Sequence, residues 1–340
     1  MHALISSFVE NISFCSFIIG LLGTIISFKL FLPLFISLKF LDKPTNRSNH
    51  VRPIALGGGV IVVPIIILVS SILNYQWPAV IIIVMSILFL ISFLDDLKNL
   101  EASLRLITHF ICAGIYFYFY MFAQIKIPTI INNDLLTIII YFLTIASIAW
   151  FINAFNFMDG IDGITGIQII FLTGSLILLN YYLNYKSDLL QFTVIGVTLG
   201  FLYFNWSPAK VFLGDSGSIP LGFLMTHFLI DFALKGFWVA ALILPMYYIL
   251  DTSVTLIIRI LRKESFWKAH SQHFYQKLVR RGKTHKEVCK IIIIISLGLF
   301  ILALSSVLVK NNAVFLILSF IWCAFFLLNF SKNNKIIKND

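Results

Sequence analysis

Residues 78–96 read PAVIIIVMSILFLISFLDD, seventeen residues without a charge followed by two adjacent acids. Nothing in the run alternates polar with apolar, so a half-exposed strand is excluded. Its length is that of a helix crossing the hydrocarbon core of a bilayer, roughly 17–25 residues. Working outward, the same pattern returns at approximately 13–34, 54–73, 105–123, 135–152, 164–183, 189–206, 217–234, 237–258, 288–309 and 313–330. These segments predict an all-α, polytopic integral membrane protein with about 11 transmembrane helices. Composition agrees: 59% of the 340 residues are hydrophobic and 12% are charged, with mean hydropathy +0.96. A soluble chain carries about a quarter charged residues, so this one could not cover a water-facing globule. Disordered, collagen-like and nucleic-acid-binding classes fail on the same ground. A β-barrel fails because its strands would alternate over about ten residues. With no internal repeat, residues 1–340 read as a single transmembrane domain.

Orientation follows from the basic residues. The first 28 residues contain no Lys or Arg, so the basic start of a secretory signal peptide is missing and the first segment is expected to insert with its N-terminus outside. Twenty of the 25 basic residues then fall on the cytoplasmic side, ten of them in 259–290. Lys126, Lys186, Lys235 and Lys310 fall on the other, and Lys29 lies within the first segment. This asymmetry places the N-terminus in the periplasm. It also accounts for most of the net charge of +10 without an acidic partner. The four cysteines (Cys15, Cys112, Cys289, Cys323) have neither disulfide nor zinc spacing.

The polar information gathers in the cytoplasmic connections. Asp95, Asp96, Asp159, Asp162 and Asp215 all stand at or just past a cytoplasmic segment end. Acids close to a membrane are costly and usually functional. Five carboxylates from three connections can meet only at one mouth of the bundle, where their repulsion calls for a divalent metal and a phosphate-bearing substrate. Alone, Asp95-Asp96 would read as solvated charges, with Lys98 or Arg105 neutralising one. In NAFNFMDGIDG (153–163), Asn153, Asn156, Asp159 and Asp162 recur every third residue. On one helical or 3₁₀ turn that spacing stacks four polar heads on a single face, more than capping requires. VFLGDSGS (211–218) reads either as an N-cap or as an anion-binding turn opening a helix near Ser218. Gly57-Gly58-Gly59 reads as close helix packing or as backbone approach to a ligand. Trp267, His270, Phe274 and Leu278 could share one face of an amphipathic helix lying on the membrane surface. His109 and His227 read as packed core histidines, and His2 and His285 carry no signal.

In order, DKPTNRSNHVRPIALGGG (42–59), the acid pair, NAFNFMDGIDG, FLGDSGS and the histidine-bearing basic loop 259–288 resemble one family over roughly residues 40–290. It is the polyprenyl-phosphate N-acetylhexosamine-1-phosphate transferases, relatives of the phospho-MurNAc-pentapeptide translocase. The resemblance implies ten or eleven helices with the site on the cytoplasmic face of a bacterial inner membrane. The last loop, AHSQHFYQ (269–276), has fewer histidines than is usual and looks like the branch that initiates O-antigen or related glycans.

The reaction implied is attack of a lipid phosphate on the β-phosphorus of a UDP-sugar, with UMP leaving. Asp215 would be a Mg²⁺ ligand, Mn²⁺ being the alternative, with Asn156 on the metal or the diphosphate. Asp159 and Asp162 would line the nucleotide pocket with Asn153, Asp159 also counting with Asp95 and Asp96 as a catalytic acid, and Phe212 would stack on uracil. Asp95 and Asp96 would orient or deprotonate the lipid phosphate, or share the metal. Arg47, His50, Arg52, Arg262, His270 and His273 are candidate phosphate or sugar contacts. Asp251 is expected to be a buried partner of Arg259 or of the loop. Trp267 and Phe274 would favour the methyl group of a 6-deoxy-N-acetylhexosamine. Implied partners are a UDP-N-acetyl sugar, undecaprenyl phosphate, membrane lipid and a second copy in a homodimer, with no nucleic acid. A transporter of an anionic metabolite would share the topology but place its acids near the midplane, on broken helices. A scaffold subunit would tolerate their neutralisation. The GlcNAc-specific and peptidoglycan branches of the family remain alternatives.

Overall fold

The computed structural model describes residues 2–44, 52–122, 124, 134–186, 188–265, 270–310 and 312–332. Within these, the chain forms α1 (His2–Ser37), α2 (Gly58–Ile72), α3 (Ala79–Lys98), α4 (Ala102–Tyr116), α5 (Asp134–Phe157), α6 (Ile164–Tyr182) and α7 (Leu189–Asn205). There follow α8 (Asp215–Phe232), α9 (Trp238–Ile243), α10 (Met246–Leu261), α11 (Phe274–Arg280), α12 (His285–Leu308) and α13 (Val314–Lys332). Eight helical stretches among the described residues are long and apolar enough to cross a membrane, and α2 and α7 are shorter apolar helices. The protein is an all-α, multi-pass membrane protein.

The expected segments are recovered with two revisions. Segment 237–258 is split into α9 and α10 at Leu244-Pro245, where proline lacks the N–H that a continuous helix needs. The connection between segments 217–234 and 237–258 is a π-helical stretch, Ala233–Phe237, broken by Gly236 at φ 100°. The chain reverses there, because α8 begins and α10 ends on the same face of the bundle, as their contacts below show.

Burial separates inner from outer helices. The spanning window of α6 is 67% buried, that of α1 only 17%. Leu30, Leu90, Phe142, Ile301 and Phe325 are exposed apolar residues on the periphery, as hydrocarbon contact requires. Without a hydrophobic drive between helices in lipid, small residues let backbones close up. A Cβ on Gly196 of α7 would lie 2.1 Å from the Phe17 carbonyl oxygen of α1, so only glycine allows that crossing. The sole strands among the described residues are β1 (Leu41–Asp42) and β2 (Ile54–Ala55), an antiparallel pair. Ala55 also bridges Val211 in parallel. This small ladder ties the 42–59 connection to the stretch that leads into α8.

Candidate active site

Four connections meet at one end of the bundle, and backbone contacts bring them together. Gly58 N–H donates to the Phe212 carbonyl (2.9 Å) and Gly59 N–H to that of Leu213 (2.8 Å). A Cβ on Gly59 would lie 2.1 Å from Gly217 N, so the glycine run serves helix packing against the start of α8. Gly214 takes φ 75° just before that start.

α8 opens at Asp215, three residues earlier than the sequence suggests. Its first N–H groups do not face an open site. The two Asp96 carboxylate oxygens accept the N–H of Asp215 (2.9 Å) and of Ser216 (3.0 Å). Asp96 is therefore the anion at this helix N-terminus, stabilised by its free donors and dipole. Its partner Asp95 closes the α3–α4 turn by accepting the Leu100 N–H (2.6 Å) on one oxygen. On the other it accepts Arg105 Nη1 (2.8 Å), and the same nitrogen donates to Asp215 Oδ2 (3.1 Å). Asp215 Oδ1 accepts the Asn156 amide (2.9 Å), which also donates to Ser218 Oγ (2.8 Å). Asp95, Arg105, Asn156 and Asp215 thus form one cluster drawn from α3, α4, α5 and α8.

The interval-of-three reading of 153–162 does not survive, because α5 stops at Phe157. Asn153 turns back to the Ala149 carbonyl (2.7 Å). Asp159 accepts the Thr165 hydroxyl (2.5 Å). Burial raises the Asp159 carboxyl to about 6, with the Asp96 charge adding to the rise and the Thr165 hydroxyl opposing it. Asp162, expected in the nucleotide pocket, is 6% exposed and lies on the far side of the loop. It accepts the Ala209 N–H (3.1 Å), and His285 Nδ1 stands 3.1 Å from its other oxygen. Burial pushes this carboxyl up, but His285, Ala209 and Ser207 together outweigh it and hold it below the usual range. Asn205 clamps the same loop: its amide oxygen accepts the Gly163 N–H (2.9 Å) and its NH₂ donates to Val211 (2.8 Å). Neither Asn205 nor His285 is a candidate in the sequence reading. Only the position of Asn205 at a segment end signals it.

The basic loop is also corrected. α11 spans only Phe274–Arg280, and Phe274, Tyr275 and Leu278 are buried against α10, α12 and α13 instead of lying on the membrane surface. Phe274 is 4% exposed and cannot line a sugar pocket; Lys277 lies over its ring. His273, 2% exposed, caps α11 and reaches Asp251 (3.2 Å), so it is withdrawn from any substrate. Asp251 also accepts the N–H groups of Phe274 (3.0 Å) and Tyr275 (3.2 Å). It is thus the loop's anchor, not the partner of Arg259, which pairs with Glu264 (2.8 Å). Tyr275 then donates to the Phe157 carbonyl (3.0 Å), joining the anchor to the end of α5. His270 is half-buried beside His273, ring centroids 4.9 Å apart. Burial, with His273 and Arg259 nearby, lowers it to about 4, so it is a neutral imidazole at pH 7. Arg52 and Arg262 are exposed, and Phe212 is half-buried. Arg47, His50 and Trp267 lie outside the described residues.

Among the described residues, no three Asp, Glu, His or Cys side chains converge as a ready metal cluster. The donor chemistry nevertheless suits a hard dication. Asp95 and Asp215 each turn one oxygen to a single cation, the Arg105 guanidinium, which stands in for it.

Residues 78–233 match the family model of glycosyl transferase family 4. All five acids fall inside that stretch, and the loop 259–288 lies beyond it. The chain is similar to the probable undecaprenyl-phosphate N-acetylglucosaminyl 1-phosphate transferase of Bacillus subtilis, 26% identical over 90% of this chain and 87% of that one. It is 33% identical to the phospho-N-acetylmuramoyl-pentapeptide-transferase of Streptococcus pyogenes serotype M18, over 57% of this chain and 61% of that one.

Proposed function

We propose, from the match of residues 78–233 to the model of glycosyl transferase family 4, that the chain is a member of that family and transfers a sugar 1-phosphate from a UDP-sugar to undecaprenyl phosphate. UMP is released, and the step initiates a surface glycan at the cytoplasmic face of a bacterial inner membrane. The observation that carries this reading is the Asp95–Arg105–Asp215–Asn156 cluster at one membrane face. A transporter would hold such acids at mid-bilayer.

The reaction exchanges one phosphoanhydride for another, so the main barrier is the approach of two anions. Asp95, Asp215 and the Asn156 amide would hold Mg²⁺ or Mn²⁺, which when bound neutralises the diphosphate charge. Asp96 keeps the start of α8, and with it Asp215, in place. Asp159 faces Thr165 beside this cluster, and burial has raised its carboxyl to about 6, within reach of neutral pH. It is the proposed proton acceptor for a singly protonated lipid phosphate. Asp162, Asn205 and His285 fix the loop that carries Asp159. His270, neutral, would donate a hydrogen bond to the sugar or diphosphate.

The sugar is proposed to be an N-acetylhexosamine, with UDP-GlcNAc the first donor to try, since a relative matched over 90% of this chain and 87% of its own is named for that sugar. With Phe274 in the core, a 6-deoxy sugar loses one of the two apolar contacts expected for it. The test is purified protein with undecaprenyl phosphate, Mg²⁺ and a panel of UDP-sugars, the lipid product being identified by mass spectrometry. UMP release coupled to one lipid-diphosphate sugar is expected. Absence of lipid product with every donor would overturn the assignment.

A further inference from the structure

Arg105 lies in the first turn of α4, the positive end of the helix dipole, where a cation is disfavoured unless anions compensate it. Two do, and both are held by the single nitrogen Nη1, 2.8 Å from Asp95 and 3.1 Å from Asp215. Its Nε is buried without a hydrogen-bond partner, so that end of the guanidinium is not pinned by an acceptor. One third of the side chain is exposed, leaving it a way out. The third nearby acid, Asp96, is committed to the α8 N-terminus and does not add to the hold on the arginine.

We propose that Arg105 is a resident counter-cation seated where the metal would bind, so that the free protein binds the dication weakly until a nucleotide phosphate arrives. This rests on the metal reading above. A guanidinium and a dication cannot both sit about 3 Å from the same two carboxylate oxygens without strong repulsion. One must leave, and the oxygens of a diphosphate offer the displaced guanidinium a second anionic partner. Metal and nucleotide binding would then be mutually reinforcing, each tightening the other by the same factor. Arg105 is accordingly a positioning residue that sets the order of loading.

The test is Mn²⁺ titration of the purified full-length protein, followed by electron paramagnetic resonance without nucleotide. Arg105→Gln should bind Mn²⁺ about tenfold more tightly than wild type, and Arg105→Lys should fall between them. UMP should tighten Mn²⁺ binding to wild type and have a smaller effect on Arg105→Gln. Equal or weaker Mn²⁺ binding by folded Arg105→Gln overturns the proposal while leaving the metal reading intact. No Mn²⁺ binding to wild type or to either variant, with or without UMP, removes the metal and the proposal together. A second measurement needs only wild type: Mg²⁺ should increase phenylglyoxal modification of Arg105, read by peptide mass spectrometry. An unchanged rate in protein shown to bind the ion would equally count against displacement.

Discussion

Asp159 carries a titration that kinetics can read. Its carboxyl stands at about 6, raised first by burial, and the Thr165 hydroxyl favours the ionised form. If the ionised form is required, kcat/KM falls as pH drops through that value. Thr165→Val removes the stabilising bond, so the acidic limb should move to higher pH in a pH–rate profile. An unmoved limb would take Asp159 out of the role of titrating base. Asp215→Asn keeps the shape but loses a charge shared by Arg105 and the proposed metal. UMP release should fall about a thousandfold, with the protein still folded and membrane-inserted by detergent gel filtration. Near-normal turnover would remove Asp215 from the metal. At this scale the sequence was a partial guide. Acids at segment ends announce themselves because charge near a bilayer is rare. Which acid meets which partner depends on where α5 stops, and a spacing of three cannot tell a continuing turn from a helix ending at Phe157. Arg105, Asn205 and His285 gain their meaning from partners 110, 42 and 123 residues away.

Elements were more legible than residues, because twenty apolar residues in a row leave a chain few options in lipid. The exceptions come from specific backbone chemistry: Pro245 splits a span, and Gly236 turns the chain. α11 was misread because Phe274 and Leu278 fit a surface helix as well as a buried one, and only tertiary packing decides between them. What holds α11 is Asp251, wholly buried and bonded to His273 and to two N–H groups at the helix start. Asp251→Asn should weaken each of these charge-assisted bonds and destabilise the docked loop by about 1–3 kcal/mol. The expected sign is faster protease cleavage within 259–288 while the remaining helices stay resistant. Because Tyr275 hangs from the same anchor and touches Phe157, KM for the UDP-sugar should rise as well. Unchanged cleavage and unchanged KM would mean that packing of Phe274 and Leu278 holds the loop without Asp251.

Across the whole molecule, the cluster constrains every crossing. Asp95 ends α3, Arg105 begins α4, Asn156 lies near the end of α5 and Asp215 begins α8, so these termini share one face. α6 begins beside that face, at the loop fixed by Asp162 and His285, and Lys186 follows its far end. Lys283 stands two residues before α12, whose first residue is His285, and so belongs to the site's face. Helix contacts therefore put Lys186 and Lys283 on opposite sides, but they do not say which side is the cytoplasm. The charge asymmetry does: twenty of the 25 basic residues against four, a bias that orients helices during insertion. Both lysines are exposed. In a background lacking Cys15, Cys112, Cys289 and Cys323, Lys186→Cys should react with a membrane-impermeant maleimide in intact spheroplasts. Lys283→Cys should react only after permeabilisation. The reverse pattern would turn the acid cluster to the outside, away from nucleotide-activated sugars, and the proposed reaction could not take place there.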